Sequence, residues 1–162
     1  MGMVGCLRAL KKSEMDALQG DPERVLEFLD EDDSEDVYAI DVDKAWHAIH
    51  YMLTGSADGG PEPACLAILG GVEIGEDLGY GPPRLLNDKD VSRIAGLLES
   101  LPPETFAKRY DPKAMDAAGI YPEIWERDGD EGLDYVLEWY EVLRTFYLDA
   151  RDRNDGVLLW LS

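Results

Sequence analysis

The chain is poor in the residues that carry most enzymatic and metal chemistry. It has only two cysteines, Cys6 and Cys65, and they follow neither a metal-ligand nor a redox spacing. With no secretory leader ahead of them, they read as reduced thiols of a cytoplasmic protein. It has only two histidines, His47 and His50, and a zinc site would need two further ligands. No glycine-rich segment has the lysine and spacing that cradle a phosphate. Nucleophile elbows and the hydrolase signatures are missing as well. No apolar run approaches the length of a membrane span, and cysteine at position 6 removes a myristoylation signal. No cofactor and no metal are therefore expected, and the reading leans away from an enzyme.

Bases are scarce too. The 162 residues contain 35 acids against 15 bases, a formal net charge of −20. Such a field repels nucleic acid and anionic membrane, and it speeds encounter with a basic protein or a cation. An acid-rich proteome would give the same coat with no specific meaning, so both readings stand. Hydrophobic residues make up 45% and charged residues 31%, a globular balance. The length suits one domain over residues 1–162, able to bury about two thirds of its unfolded surface without a staple.

What is present is a series of well-punctuated elements. Residues 3–10 are apolar and glycine-spaced, which predicts a strand, with Gly2 and Gly5 allowing close backbone approach. A short helix is predicted from Ser13, with Asp16 as capping-box acid, and Asp21-Pro22-Glu23 restarts helical structure. Residues 30–36 (DEDDSED) hold six acids in seven positions. They lack the turn glycine and ligand order of a calcium loop and read as a solvated loop.

Residues 41–55 (DVDKAWHAIHYMLTG) predict an amphipathic helix with Trp46, Ile49, His50 and Leu53 on one stripe. Asp43 is placed to cap its start and Gly55 its end. Residues 56–63 (SADGGPEP) read as a mobile flap, and residues 65–74 as a bulged strand or a short helix followed by a strand. A helix then opens at Asn87, with Val91, Ile94, Ala95, Leu98 and Leu101 facing a core. Two proline-started helices follow, at residues 102–110 and 111–119.

Residues 131–150 predict a long helix with Asp134, Glu138, Glu141, Thr145 and Asp149 on a narrow stripe between two apolar flanks. Such a helix is central to the domain, or is covered in part by a second chain. The closing VLLWL run (157–161) fits a strand covered on both faces. The expected architecture is a single α+β domain, with several helices around a small mixed sheet formed in part by the N- and C-terminal strands.

Three stretches, the MGM start, DKAWHAIHYMLTG (43–55) and IYP (120–122), resemble the YfbM-like family of small bacterial proteins. GYGPPRLL (79–86) is similar to family members as well. The resemblance spans essentially the whole chain. It implies an α+β domain, with no established activity and no catalytic residues to carry over.

One constellation of side chains is the candidate pocket. Asp43, Trp46, His47, His50 and Thr54 share the signature helix, and Tyr80, Arg84 and Tyr121 sit in turn-rich segments where loops often build sites. His50 on its apolar stripe also reads as a core histidine, and Arg84 as a clamp on a carboxylate or helix C-terminus. The leading functional expectation is a non-enzymatic acidic binding protein, one form being an inhibitor or immunity-type protein for a basic toxin or nuclease. The alternative is a small-ligand binder or enzyme at the His47/His50 helix and Arg84. Monomer and homodimer both remain open.

Overall fold

A computed structural model describes residues 2–29 and 36–162. Five strands, Gly5–Leu10 (β1), Ala39–Asp41 (β2), Val72–Glu73 (β3), Arg84–Leu86 (β4) and Gly156–Leu161 (β5), form one open sheet. Their order is β2-β1-β5-β4-β3, and the two end strands of the chain are partners near its centre. The described helices are Lys12–Gly20 (α1), Val25–Leu29 (α2), Trp46–Thr54 (α3), Leu66–Leu69 (α4) and Asp88–Glu99 (α5). They continue with Pro103–Ala107 (α6), Pro112–Ala117 (α7), Trp125–Asp128 (α8) and Asp130–Asp152 (α9). The fold is the α+β domain expected, with one difference. The sheet is antiparallel throughout, where a mixed one was expected. The reason lies in the return path. The chain leaves the sheet at Leu86 and re-enters beside it at Val157, its register partner, so the helical excursion makes no crossover to a parallel strand.

Alternation along the central strands divides the core in two. Leu7 and Ala9 of β1, Leu86 of β4, and Val157 and Leu159 of β5 face the larger cluster, filled by α3, α4, α5 and α9. Leu10, Leu85 and Leu158 face the smaller cluster, closed by Met15 and Leu18 of α1 and Val25 of α2. The VLLWL strand is thus covered on both faces, as its continuous hydrophobicity predicts. Each fully buried leucine there contributes roughly 1.5–3 kcal/mol of transfer free energy.

Local signals set most helix ends. The Asn87 side chain accepts from the Asp90 N–H at 2.8 Å, and the Asp111 side chain from the Ala114 N–H at 3.1 Å. Gly55 ends α3 at φ 77°, a left-handed conformation that costs glycine no steric clash. Two expectations about α1 need correction. The N-cap of α1 is Lys11, not Ser13. Glu14 rather than Asp16 reaches back to its N–H (3.0 Å), a position Glu14 shares with an ion pair to Arg8. Segment 65–74 resolves into α4 followed by β3, the second of its two readings. The segment read as a flap is tied at its start: the Ser56 N–H donates to Thr54 Oγ1 (3.0 Å), and Ser56 Oγ accepts from the Gly59 N–H (3.1 Å). Of the acidic run 30–36, all but Asp36 lies outside the described residues.

The stripe Asp134, Glu138, Glu141, Thr145 and Asp149 of α9 is exposed, and Val136, Tyr140, Leu143 and Phe146 are buried. Its flanks, including Leu133, Leu137, Trp139 and Leu148, are half-buried against the chain's own larger core.

Gly5 sits where β1 passes beneath α3: a Cβ there would lie 2.7 Å from Trp46 Cβ. Backbone cannot yield cheaply at that point. Gly5→Ala is expected to cost about 1–3 kcal/mol in urea unfolding. Wild-type stability in that variant would mean that α3 can move off the sheet.

Candidate functional site

The signature helix places its side chains at one end of the sheet, against the N-terminus. The Trp46 indole N–H donates to Met3 O at 3.0 Å, and the Met3 N–H donates to the Tyr121 hydroxyl at 3.0 Å. The Tyr121 N–H in turn donates to His47 Nδ1 at 2.9 Å. Because Nδ1 accepts, the ring proton is on Nε2, which donates to Ala57 O at 2.8 Å. Trp46 stacks on both neighbouring rings, with centroids 4.9 Å from His47 and 5.8 Å from Tyr121. Gly2 lies against the Tyr121 hydroxyl and the Lys44 side chain. The MGM start, the histidine helix and the IYP turn therefore meet in one hydrogen-bonded knot.

Asp43 joins this region by a route the sequence does not suggest. It caps nothing with its side chain. Its carboxylate accepts from the Tyr135 hydroxyl at 2.6 Å, and that hydroxyl accepts from the Lys44 N–H at 3.1 Å. Burial, then the Asp43 carboxylate, push the Tyr135 phenol well above its usual range. No local pattern ties Tyr135 to Asp43: the two are 92 residues apart, and only their positions on α9 and the turn before α3 bring them together.

His50 lies one turn further along α3 and differs from His47 in kind. Its side chain is fully buried, and neither ring nitrogen has a hydrogen-bond partner among the described residues. Burial lowers its pKa first, and the neighbouring His47 and Arg84 add to that direction. The Gly59 backbone faces the ring and pulls the other way without completing a bond of normal geometry. His47 is also shifted down, chiefly by burial, and protonating its Nδ1 would break the bond from Tyr121.

Arg84 is a clamp on a helix end. Its Nη1 donates to Ile68 O and Gly70 O, both at 3.1 Å, where α4 leaves its last carbonyls unpaired. Two further arginines repeat the device: Arg109 donates to Met52 O and Leu53 O of α3, and Arg144 to Leu98 O and Glu99 O of α5. A run of basic residues would have been legible in the sequence; single arginines reaching across 46 or 57 residues are not.

The candidate residues thus separate. Asp43, Trp46, His47 and Tyr121 share the knot, and His50 and Arg84 lie near each other in the interior. Thr54 lines a shallow hollow of about 390 Å³ at the end of α3, with Arg109. Tyr80 stands apart, half exposed on the loop between β3 and β4. A larger hollow, about 490 Å³, lies at the opposite end of the sheet and includes Lys11, Lys12 and Arg153. Asp16 pairs with Lys12 there, and Asp155 with Arg153. No group of three or more potential metal ligands occurs among the described residues, and no described helix is long and apolar enough to cross a membrane.

Residues 1–160 match the model of a domain of unknown function, DUF1877. The chain belongs to this family. Protein YfbM of Escherichia coli (strain K12) is 27% identical over 165 residues, covering 97% of each chain. The crystal structure of YfbM from Escherichia coli, a protein of unknown function, superposes with a TM-score of 0.76 over 98% of this chain and 99% of that one, at 20% identity. That likeness carries the fold of the DUF1877 domain and no activity.

The two imidazoles give a pH dependence of defined sign. Both folded-state pKa values lie below the ordinary 6.5. The unfolded chain therefore binds more protons as pH falls through that value, and the neutral rings lose stability for the fold in acid. Urea unfolding at about pH 7.5 and about pH 5.5 should show a drop that shrinks in His50→Leu. An equal drop in both proteins would remove His50 as its source.

Proposed function

We propose that this DUF1877 protein is a non-enzymatic binding protein whose acidic surface receives a basic protein partner. The observation that carries this reading is the disposal of its bases. Of the 15, Arg8, Lys12, Arg24, Arg93, Arg127, Arg151 and Arg153 are held in ion pairs. Arg84, Arg109 and Arg144 are spent on helix carbonyls. The exposed acids Asp134, Glu138 and Glu141 of α9, by contrast, have no base within ion-pair distance among the described residues. With 35 acids against 15 bases over the chain, the net negative field steers and orients a cationic surface. An inhibitor or immunity-type protein covering a basic toxin or nuclease is one form of this reading.

A second reading rests on His50. A fully buried imidazole without partners is costly, and such groups recur at binding sites. A small ligand held between His50 and Arg84 would supply the missing partners. None of the hollows described above is lined by His50, so this reading ranks second.

Affinity capture from host lysate separates the two. A basic protein should be recovered in stoichiometric amount in about 50 mM salt and lost in about 1 M salt, where screening reaches about 3 Å. Binding indifferent to salt would count against the acidic-surface reading. If small-molecule screening instead raises the melting temperature of wild type and not of a folded His50→Ala variant, the second reading takes its place.

A further inference from the structure

The chain has four large hydrophobic side chains exposed among its described residues, and three of them share one hairpin. Val72 (75% exposed), Leu78 (38%) and Tyr80 (50%) all lie on the β3–β4 hairpin, and Leu26 (58%) is on α2. The α2 helix adjoins that hairpin, since a Cβ on Gly75 would lie 2.8 Å from a methyl of Val25. Isolated exposed apolar residues need no explanation, whereas a cluster of them marks an interaction surface.

Beside the cluster runs a groove of about 460 Å³ between α1 and the hairpin. Its floor is the open side of the smaller core, with Met15, Leu18, Ile74 and Leu85. Val72 forms its rim, on the same face of the strand as Ile74. Glu73 and Asp90 are its charged lining residues, and no lysine or arginine lines it.

The backbone at this place is also available. Val72 is the register partner of Leu85, and the Ile74 N–H donates to Pro83 O at 2.8 Å. Those two residues therefore turn their main-chain groups toward β4, and Glu73 between them turns its N–H and C=O to the open edge. No described strand pairs beyond β3. Such an edge is a template for an added strand, and a strand this short supplies only a few hydrogen bonds. Specificity would then come from a side chain seated in the groove.

Charge selects the occupant. The hairpin carries Glu73, Glu76 and Asp77 against a single base, Arg84, which is turned inward onto carbonyls. A second copy would bring those acids against their own equivalents. A segment of lysine and arginine would be matched.

We infer that the β3 edge and its groove dock an extended basic segment of a partner protein, which adds a strand beside Glu73 and seats an apolar side chain against Val72, Ile74 and Leu85. This rests on the acidic-binder reading and gives it a location.

The probe is an acetylated Lys-Val-Lys-Val-Lys-Val-Lys peptide, titrated into the ¹⁵N-labelled full chain. Its control is the same peptide with serine in place of valine. The largest amide shifts are expected at residues 72–75. Affinity should fall by about tenfold or more for the serine peptide, and for a Val72→Lys variant. Val72 is so exposed that this variant should keep its fold, which an unchanged melting temperature would verify. Equal binding of both peptides, or shifts centred on the acidic stripe of α9, would overturn the groove and leave the acidic-binder reading intact. Absence of binding would overturn the groove as well. A protein dimer that forms in wild type and is lost in Val72→Lys, seen by sedimentation, would assign the edge to a second copy and overturn the basic occupant.

Discussion

The pairing of β1 with β5 is the constraint on which the rest of the molecule depends. Six residues at one end of the sequence pair antiparallel with six at the other, from Gly5 opposite Leu161 to Leu10 opposite Gly156. Reciprocal bonds between Val4 and Ser162 extend the ladder. This ribbon divides the two cores, and each of its strands contributes side chains to both. Everything between the strands is helical excursion and hairpin that must return to this ribbon. The excursion can do so without a crossover because it ends beside the residue where it began.

Next to that ribbon, the polar chemistry of the signature helix is used for joining. Trp46, His47 and Tyr121 exchange hydrogen bonds with one another's neighbourhood and with Met3 until both imidazole nitrogens of His47 are committed. Aromatic stacking adds to this geometry and leaves little freedom in the rings. His50, buried without such commitments, is the one member of the helix whose chemistry the fold leaves open. A protein can thus display two histidines three residues apart and use them in opposite ways: one is fixed by partners, the other is fixed by packing alone.

The parts of this fold that were legible in the sequence are those decided within a few residues. Asn87, Asp111 and Gly55 end or start helices through contacts to their own turns. The period of hydrophobicity identified the buried face of α5, and the continuous run at 157–161 identified a strand with two covered sides. The parts that were not legible are decided at a distance. Asp43 looks like a cap and is instead claimed by Tyr135, and Ser13 looks like a cap although the helix begins at Lys12. The glycine-rich run after α3 looks loose, yet the Thr54 and Ser56 side chains accept from its own N–H groups and His47 holds it from outside. Strand direction had no local signal. Of the candidate residues, Asp43, Trp46, His47 and Tyr121 meet in the knot, and Tyr80 belongs to a hairpin that no spacing rule links to the helix.

The arrangement of the central ribbon has a mechanical side. Gly5 and Leu161, the outermost register partners, are neighbours at the same end of the ladder. A force drawing these two residues apart would not load the inter-strand bonds together, as it would if the strands were pulled past each other lengthwise. It would open them in succession from that end, so that each bond meets the load alone. The ladder that organises the molecule is oriented to resist thermal disorder through its two buried faces, and to yield readily to traction from the side where both of its strands emerge.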